Sequence, residues 1–349
     1  MNRSLAWVIW AAVAGAILLL AAPWSPTSDE KAEPVEVLSD DQRETLASLE
    51  KLSDYPLYSM TYVGDYVDRS VGRATGGEDQ PAWACALVSS GGPDGPLMGR
   101  NFDWPRHPAL LLFTDAPGAY ATVSMVDLSY LIDPDDADNL VEWPIDARRA
   151  LLSSPHWPFD GMNERGLAVA MAAVQDTEMP RYEGARTVSS LGIIRQWLDY
   201  AATVEEALAM LSDVNIDMTG GPTLHYMIAD ATGDAALVEF WQQETIITRA
   251  SDKALFATNY LVSQVPEEAR AGLCARYDGI ADRLAEVDGT VDTPGMMAIL
   301  AAVRQEIPEY PEFGTQWSIV YQLAERSMHL VIERAYDVVQ RFDLAELDR

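Results

Sequence analysis

The chain has 349 residues, 48% of them hydrophobic and 22% charged, which is enough apolar material for one large domain or two modest ones with a sizeable core. A formal net charge of −30 gives a surface that repels phosphate backbones and argues against nucleic acid as a partner. The two cysteines, Cys85 and Cys274, and the four histidines, His107, His156, His225 and His329, show neither CxxC nor HExxH spacing. No disulfide framework, no Cys/His metal centre and no nucleotide-binding loop is implied, so no cofactor is expected.

Residues 1–28 read as a targeting segment. Arg3 precedes an uncharged apolar run of 18 residues, Leu5–Ala22. That is longer than a signal core of about 7–15 residues and just short of the ~20 that span a bilayer. A cleaved export signal and a retained membrane anchor through residues 5–22 both fit, and either places the remainder outside the cytoplasm, in a periplasmic or extracellular space. Residues 29–54 carry nine Asp/Glu against three Lys/Arg and suggest a linker entering a short helix from Asp40 to about Leu52. Pro56–Val67 is aromatic and β-branched and should pack on something. Arg69–Gln80, with Gly72, Gly76 and Gly77, looks like a flexible connection.

The stretch from Ala82 organises the rest of the chain. Ala82–Ser90 reads as a buried strand, the Gly91-Gly-Pro-Asp-Gly-Pro96 run as a turn, and Leu97–Trp104 as the returning strand. A turn centred on Pro93 and Asp94 sets Cys85 opposite Phe102, with Arg100 and Asp103 flanking the sulfur. Ala109–Phe113 and Ala119–Leu128 are further strands. Asp133–Pro158, acidic and rich in Trp and Pro, reads as a loop region over a pocket. Gly166–Ala173 is apolar without alternation, as in a strand covered on both faces.

Ser189–Ala202 has helical spacing, and Thr203-Val-Glu-Glu206 is a capping box for a helix through Leu211. Leu224–Ala229 and Ala235–Trp241 form a hairpin across Asp230–Asp234, followed by short strands Ile246–Thr248 and Leu255–Thr258. Glu267–Val287 and Pro294–Ile307 read as helices, the second capped by Thr293, and Cys274 fits the first helix's core with Leu273 and Tyr277. Gln316–Leu323 and Ser327–Glu333 close with a hairpin. Strands, then helices, then strands imply an α+β domain with sheets packed on helices.

A lone cysteine in an apolar strand is usually inert. A thiolate needs a cation to lower a pKa that is otherwise about 8.5, and Arg100 supplies one under the hairpin pairing. Gly99-Arg-Asn-Phe-Asp-Trp104 resembles the GRNxDW segment of the choloylglycine hydrolase, penicillin V acylase and acyl-CoA:6-aminopenicillanate acyltransferase family. Phe159-Asp-Gly-Met-Asn-Glu-Arg-Gly-Leu-Ala168 is similar to its DGMNExGLA segment, and Thr258-Asn259 to its TN segment. Cys274-Ala-Arg-Tyr277 and Thr315-Gln-Trp-Ser-Ile-Val-Tyr321 resemble its arginine segment and its closing strand, so the matches run in order over most of the chain.

The resemblance implies a four-layer αββα N-terminal-nucleophile hydrolase, with residues 29–84 as linker and pro-segment, the apolar Pro56–Val67 stretch lying over the immature site, and 85–349 as catalytic domain. It implies Cys85 as the nucleophile, exposed by self-cleavage of the Ala84–Cys85 bond, with its own α-amino group as base. Arg100 and Asp103 would hold the amine and thiol, Asn259 would bind the oxyanion, and Arg276 would complete the network. Where some relatives carry a second oxyanion asparagine, this chain reads Ala173-Val-Gln175, leaving the Ala173 N–H or the Gln175 side chain as donor. The implied substrate is a small N-acyl amide, cleaved by water or passed to a second amine, and the implied assembly is a homo-oligomer. Two other classes stand beside this: a non-catalytic envelope binding protein, and a serine esterase using Ser89, Ser90 or Ser318, for which no GxSxG elbow is present. Asn163 and Gly166 read as a turn, and Trp104, Trp143, Trp157 and Trp317 as core or as lining of an acyl site.

Overall fold

Ser39 opens helix α1 (Asp40–Ala47) with a capping box, its hydroxyl taking the Gln42 N–H while the Gln42 side chain takes the Ser39 N–H. The helix ends at Ala47 rather than near Leu52. Ser48 turns the chain there, its hydroxyl donating to Thr45 O and receiving the Thr61 N–H. The computed structural model describes residues 37–66, 84–250, 254–308, 310 and 313–344. The expected targeting segment, the first part of the linker and the Arg69–Gln80 connection lie outside the described residues.

After α1 come β1 (Glu50–Ser53), β2 (Leu57–Tyr62), β3 (Ala84–Gly92), β4 (Gly95–Pro105), β5 (Ala109–Thr114) and β6 (Thr122–Asp127). Next are β7 (Pro158–Asn163), β8 (Ala168–Val174), β9 (Arg186–Ser189), α2 (Gly192–Tyr200), α3 (Val204–Ala209), β10 (Val214–Asp217), β11 (Thr223–Ala229), β12 (Ala235–Trp241), β13 (Glu244–Arg249) and β14 (Ala254–Ala257). The chain closes with α4 (Ala275–Glu286), α5 (Thr293–Ala302), β15 (Phe313–Gln322), β16 (Ser327–Ile332) and β17 (Gln340–Asp343).

One sheet has nine strands in the order β1-β2-β5-β6-β7-β8-β11-β12-β13, antiparallel except for β2 beside β5, and the other has six in the order β14-β3-β4-β15-β16-β17. Strand periodicity sorts the side chains into layers. Cys85 and Leu87 of β3 face the core between the sheets, and Ala86 and Val88 face α4 and α5. The pattern repeats on β15, where Ile319 and Tyr321 point between the sheets and Val320 points to the helices. Helices α2 and α3 pack on the nine-stranded sheet and α4 and α5 on the six-stranded one, giving the expected α, β, β, α order.

The hairpin register agrees with the sequence: Cys85 pairs with Phe102, and the strands run to Gly92 and Gly95 around a two-residue Pro93-Asp94 turn. The remaining differences have local causes. The apolar Pro56–Val67 stretch does pack, but as β2 within the nine-stranded sheet rather than as a cover over Cys85, so residues from Leu38 onward belong to one compact unit. The expected helix from Glu267 begins only at Ala275, because Gly272 takes φ +83° and breaks the pattern; Leu273 is exposed and Cys274 sits in the N-cap position. Asp292, not Thr293, caps α5. The Asp133–Pro158 region is not open loop but two runs of 3-10 turns, Pro134–Glu142 and Ile145–His156, the latter packed on α1 and β5. The Arg148 guanidinium holds them together by donating to the carbonyls of Leu46, Val141 and Trp143. The two-stranded parallel pair β9 and β10 has no counterpart in the sequence reading; each strand has only four residues, too few for a period to register.

The β7–β8 turn is held by Asn163. Its side-chain oxygen takes the N–H groups of Arg165 and Leu167, and its amide donates to Leu198 O and Ala201 O at the end of α2. In the same turn Gly166 has φ +79°, and a Cβ there would lie 2.2 Å from Leu323 O. Gly166→Ala is expected to cost at least about 2 kcal/mol. Gly118→Ala, with φ +82° and nothing within 4 Å, carries the conformational penalty alone. Chemical denaturation of both variants checks the difference.

Candidate active site

Cys85 lies near the start of β3 with all three of its polar groups engaged. Its sulfur accepts from the Arg100 guanidinium at 3.6 Å, its N–H donates to Asn259 Oδ1 at 2.6 Å, and its carbonyl accepts from Arg276. Arg100 comes from the hairpin partner β4, Asn259 from the loop after β14, and Arg276 from the first turn of α4. β14 pairs with β3, and this brings Asn259, 174 positions away, beside Cys85.

Arg100 is fully buried between the sheets. It is paired with the equally buried Asp160 of β7, donates to Phe159 O and Met171 O, and lies 4.9 Å over the Phe102 ring. Asp160 also accepts from Trp317 Nε1 at 3.0 Å and from the Tyr321 hydroxyl, so every partner of Arg100 is itself fixed. Phe102 stacks on Trp317 at 4.0 Å and meets Phe159 edge-on at 5.3 Å, walling the site with rings. Trp104, Trp157 and Trp317 are buried, and Trp143 is half-buried.

Asn259 can be oriented without ambiguity. Its Oδ1 receives Cys85 N–H and Arg276 Nη2–H, so the amide nitrogen must be the atom that donates to Ala173 O at 2.8 Å. The second amide hydrogen has no partner among the described residues. Ala173 thus meets Asn259 as an acceptor, through its carbonyl. Gln175 lies past the end of β8 with its side chain exposed, and no contact joins it to Cys85.

The Asp103 carboxylate sits on the opposite face of β4 from Phe102. It accepts from the Thr315 hydroxyl on Oδ1 and lies 3.7 Å from Arg276 on Oδ2, which has no hydrogen-bond partner among the described residues. Burial pushes its pKa up to about 6, against the pull of Arg276, Thr315 and Arg100. Burial likewise raises the Cys85 thiol; Arg100 works against that, and the Asp103 charge adds to it. The sulfur is therefore a desolvated thiol beside a fixed cation. Cys274 is half-buried and accepts from the Thr258 hydroxyl at 3.4 Å; despite its burial, that bond and the first amides of α4 lower its pKa.

The structure brings Cys85, Arg100, Asp103, Asn259 and Arg276 into one cluster and adds three residues to which the sequence alone assigns no role: Asp160, Thr315 and Tyr321. All three fall inside the motif segments, so the signal is present there, but which side chain crosses from one sheet to the other is a matter of register.

Comparison with known proteins bears on the fold and the family. A match to the penicillin V acylase of Pectobacterium atrosepticum is 24% identical over 169 residues, spanning 44% of this chain and 43% of that protein, under half of the relative's length. In structure, the conjugated bile acid hydrolase of Clostridium perfringens superposes with a TM-score of 0.56 at 17% identity, covering 75% of this chain and 93% of its own. The penicillin V acylase of Agrobacterium tumefaciens gives 0.52 at 18%, covering 76% and 87%. These likenesses share the N-terminal-nucleophile hydrolase fold. Residues 158–335, just over half of the 349, match the family model of acyl-coenzyme A:6-aminopenicillanic acid acyl-transferase, and the chain belongs to that family.

Proposed function

We propose that this chain is a cysteine N-terminal-nucleophile amidohydrolase that cleaves the linear carbon–nitrogen bond of an N-acyl amide. The observation that carries the reading is the triple hold on Cys85: nitrogen by Asn259, carbonyl by Arg276 and sulfur by Arg100, each from a different part of the chain. A merely structural cysteine has no use for such a frame.

The first step is self-cleavage. The Cys85 sulfur attacks the Ala84 carbonyl carbon, the carbon–nitrogen bond breaks, and the thiol proton ends on the departing Cys85 nitrogen. Water then hydrolyses the resulting thioester to an Ala84 carboxylate, leaving Cys85 with a free thiol and a free α-amine. In turnover the sulfur attacks the substrate carbonyl while the α-amine takes its proton and hands it to the leaving amine. In this reading the second Asn259 amide hydrogen binds the oxyanion. Water next attacks the acyl thioester, the acid leaves, and the thiol is restored. A second amine in place of water would make the same thioester an acyl donor. Asp103 Oδ2, which has an ion pair with Arg276 at 3.7 Å but no hydrogen bond among the described residues, keeps acceptor capacity for the new α-amine. The apolar run Leu5–Ala22 supports export, with the site outside the cytoplasm.

Residues 38–66 remain with the domain in this reading, since β2 contributes to the nine-stranded sheet and the Tyr66 hydroxyl donates to buried Asp199 at 2.8 Å. Purified protein is expected to give a mature N-terminus at Cys85 under denaturing mass spectrometry while the N-terminal peptide co-elutes with it in native gel filtration. Cys85→Ala is expected to stay a single chain and to release no amine from penicillin V or a conjugated bile acid. A Cys85→Ala chain still cut after Ala84 would rule out self-processing by the thiol.

Asp103 gives a second test. Its folded pKa of about 6 lies above the ordinary 3.8, so its stability contribution is full below the unfolded value and is lost as pH rises through 6. In the uncut Cys85→Ala background, Asp103→Asn is therefore expected to raise stability at pH 8, by up to about 3 kcal/mol, and to change little below pH ~3.5. In the active chain the same substitution is expected to lower kcat. Equal stability at both pH values would remove Asp103 from the buried carboxylates that the fold keeps at a cost.

A further inference from the structure

Glu239 of β12 is fully buried, yet it touches none of the residues that hold Cys85. Its two carboxylate oxygens accept the N–H groups of Val262 at 2.7 Å and Ser263 at 2.8 Å, the first amides of a 3-10 turn, Val262–Gln264, that begins three residues after Asn259. Leu261, in the cap position of that turn, offers no side-chain acceptor, so the cap comes from the other sheet. At the turn's far end the Arg270 guanidinium donates to Val262 O and Val265 O. A carboxylate at the amide end and a guanidinium at the carbonyl end match the dipole of the turn. His225, buried on the neighbouring strand β11, lies with Nδ1 3.3 Å from Glu239. Burial alone would raise the Glu239 pKa, but His225 and the bonds from Ser263 bring it below the usual glutamate value.

We infer that Glu239 is a positioning residue for Asn259, fastening the loop that carries it to the nine-stranded sheet. Asn259 follows β14 in the six-stranded sheet but must meet both Cys85 of that sheet and Ala173 of the other. A loop fixed only through β14 would be free to slide along the gap between the sheets. The Glu239 bonds remove that freedom three residues from the working amide. This role rests on the amidohydrolase reading above.

The test uses the full chain with Glu239→Gln and Glu239→Ala. Backbone hydrogen exchange read by mass spectrometry is expected to rise over residues 259–264 while β8 and β15 keep their protection. With penicillin V or the best amide of a panel, kcat is expected to fall on the order of 10- to 100-fold with KM within about twofold, the signature of a displaced group that acts in the transition state. Unchanged exchange over 259–264, or raised exchange with wild-type kcat, overturns the inference. A wild-type chain that bears Cys85 at its N-terminus and hydrolyses none of the amides overturns the functional reading instead, and the positioning role falls with it.

Discussion

A guanidinium buried between two sheets is the constraint around which this site is built. Arg100 has no exposed surface, and an isolated charge there would cost several kcal/mol in desolvation. Asp160 offsets that cost from the facing sheet, Phe159 O and Met171 O accept from the cation, and the Phe102 ring lies 4.9 Å from it, while Nε has no hydrogen-bond partner among the described residues. Asp160 is held in turn by Trp317 and Tyr321. The ion pair therefore welds β4 to β7, and removing either partner would leave a charge with nowhere to go. What remains of the guanidinium faces the Cys85 sulfur. Electrostatics at the thiol and cohesion between the sheets are thus one interaction seen from two sides.

The same spot is where the nine-stranded sheet opens. β7 and β8 pair only from Met162 opposite Ala168 to Asp160 opposite Ala170. Beyond that rung the strands part, and their carbonyls need donors from elsewhere. Arg100 serves Phe159 O and Met171 O, and Asn259 serves Ala173 O. The backbone's own demand for donors thus recruits the residues of the candidate site, and it recruits them from the opposite sheet. The site lies between the layers because that is where carbonyls go unpaired, not because a groove was carved into the surface.

Much of this is legible in the sequence. The Cys85–Phe102 pairing follows from a two-residue turn at Pro93-Asp94, a local signal, and that pairing sets Arg100 beside the thiol. The layer order follows from β3 alternating Cys85 and Leu87 with Ala86 and Val88. The non-local choices are not legible. Asp160 and Glu239 look like ordinary acidic residues in apolar strands until the sheets are stacked. β2 reads as a covering segment because its parallel pairing with β5, across more than forty residues, leaves no local trace. The α4 boundary departs from the sequence pattern for a different reason. Its apolar spacing continues upstream through Leu273, but Gly272 at positive φ overrides it.

The histidines carry the argument about the base one step further. His107 has both Asp127 and Ser129 within 3.0 Å, which looks at first like a serine relay. Both contacts fall on Nδ1, however, and the Ser129 hydroxyl donates to Asp127 at 2.6 Å. A relay needs the acid on one ring nitrogen and the nucleophile on the other. His225 is turned to Glu239, His329 to Gln322, and His156 packs against Tyr66. Ser318 is bonded to Asn101 and Tyr336. No histidine is thus placed beside Cys85, and the proton-accepting side chains that share partners with it include the Asp103 carboxylate and the Asn259 amide oxygen. The second is a poor base and already holds two donors. Asp103 is spoken for by Thr315 and Arg276 and lies across the strand. In the proposed reaction the thiol proton goes to the nitrogen of Cys85 itself, which becomes a base only once the bond to Ala84 is broken. On the proposed reading, the absence of a histidine beside Cys85 is answered by that cleavage, which supplies the base from the backbone.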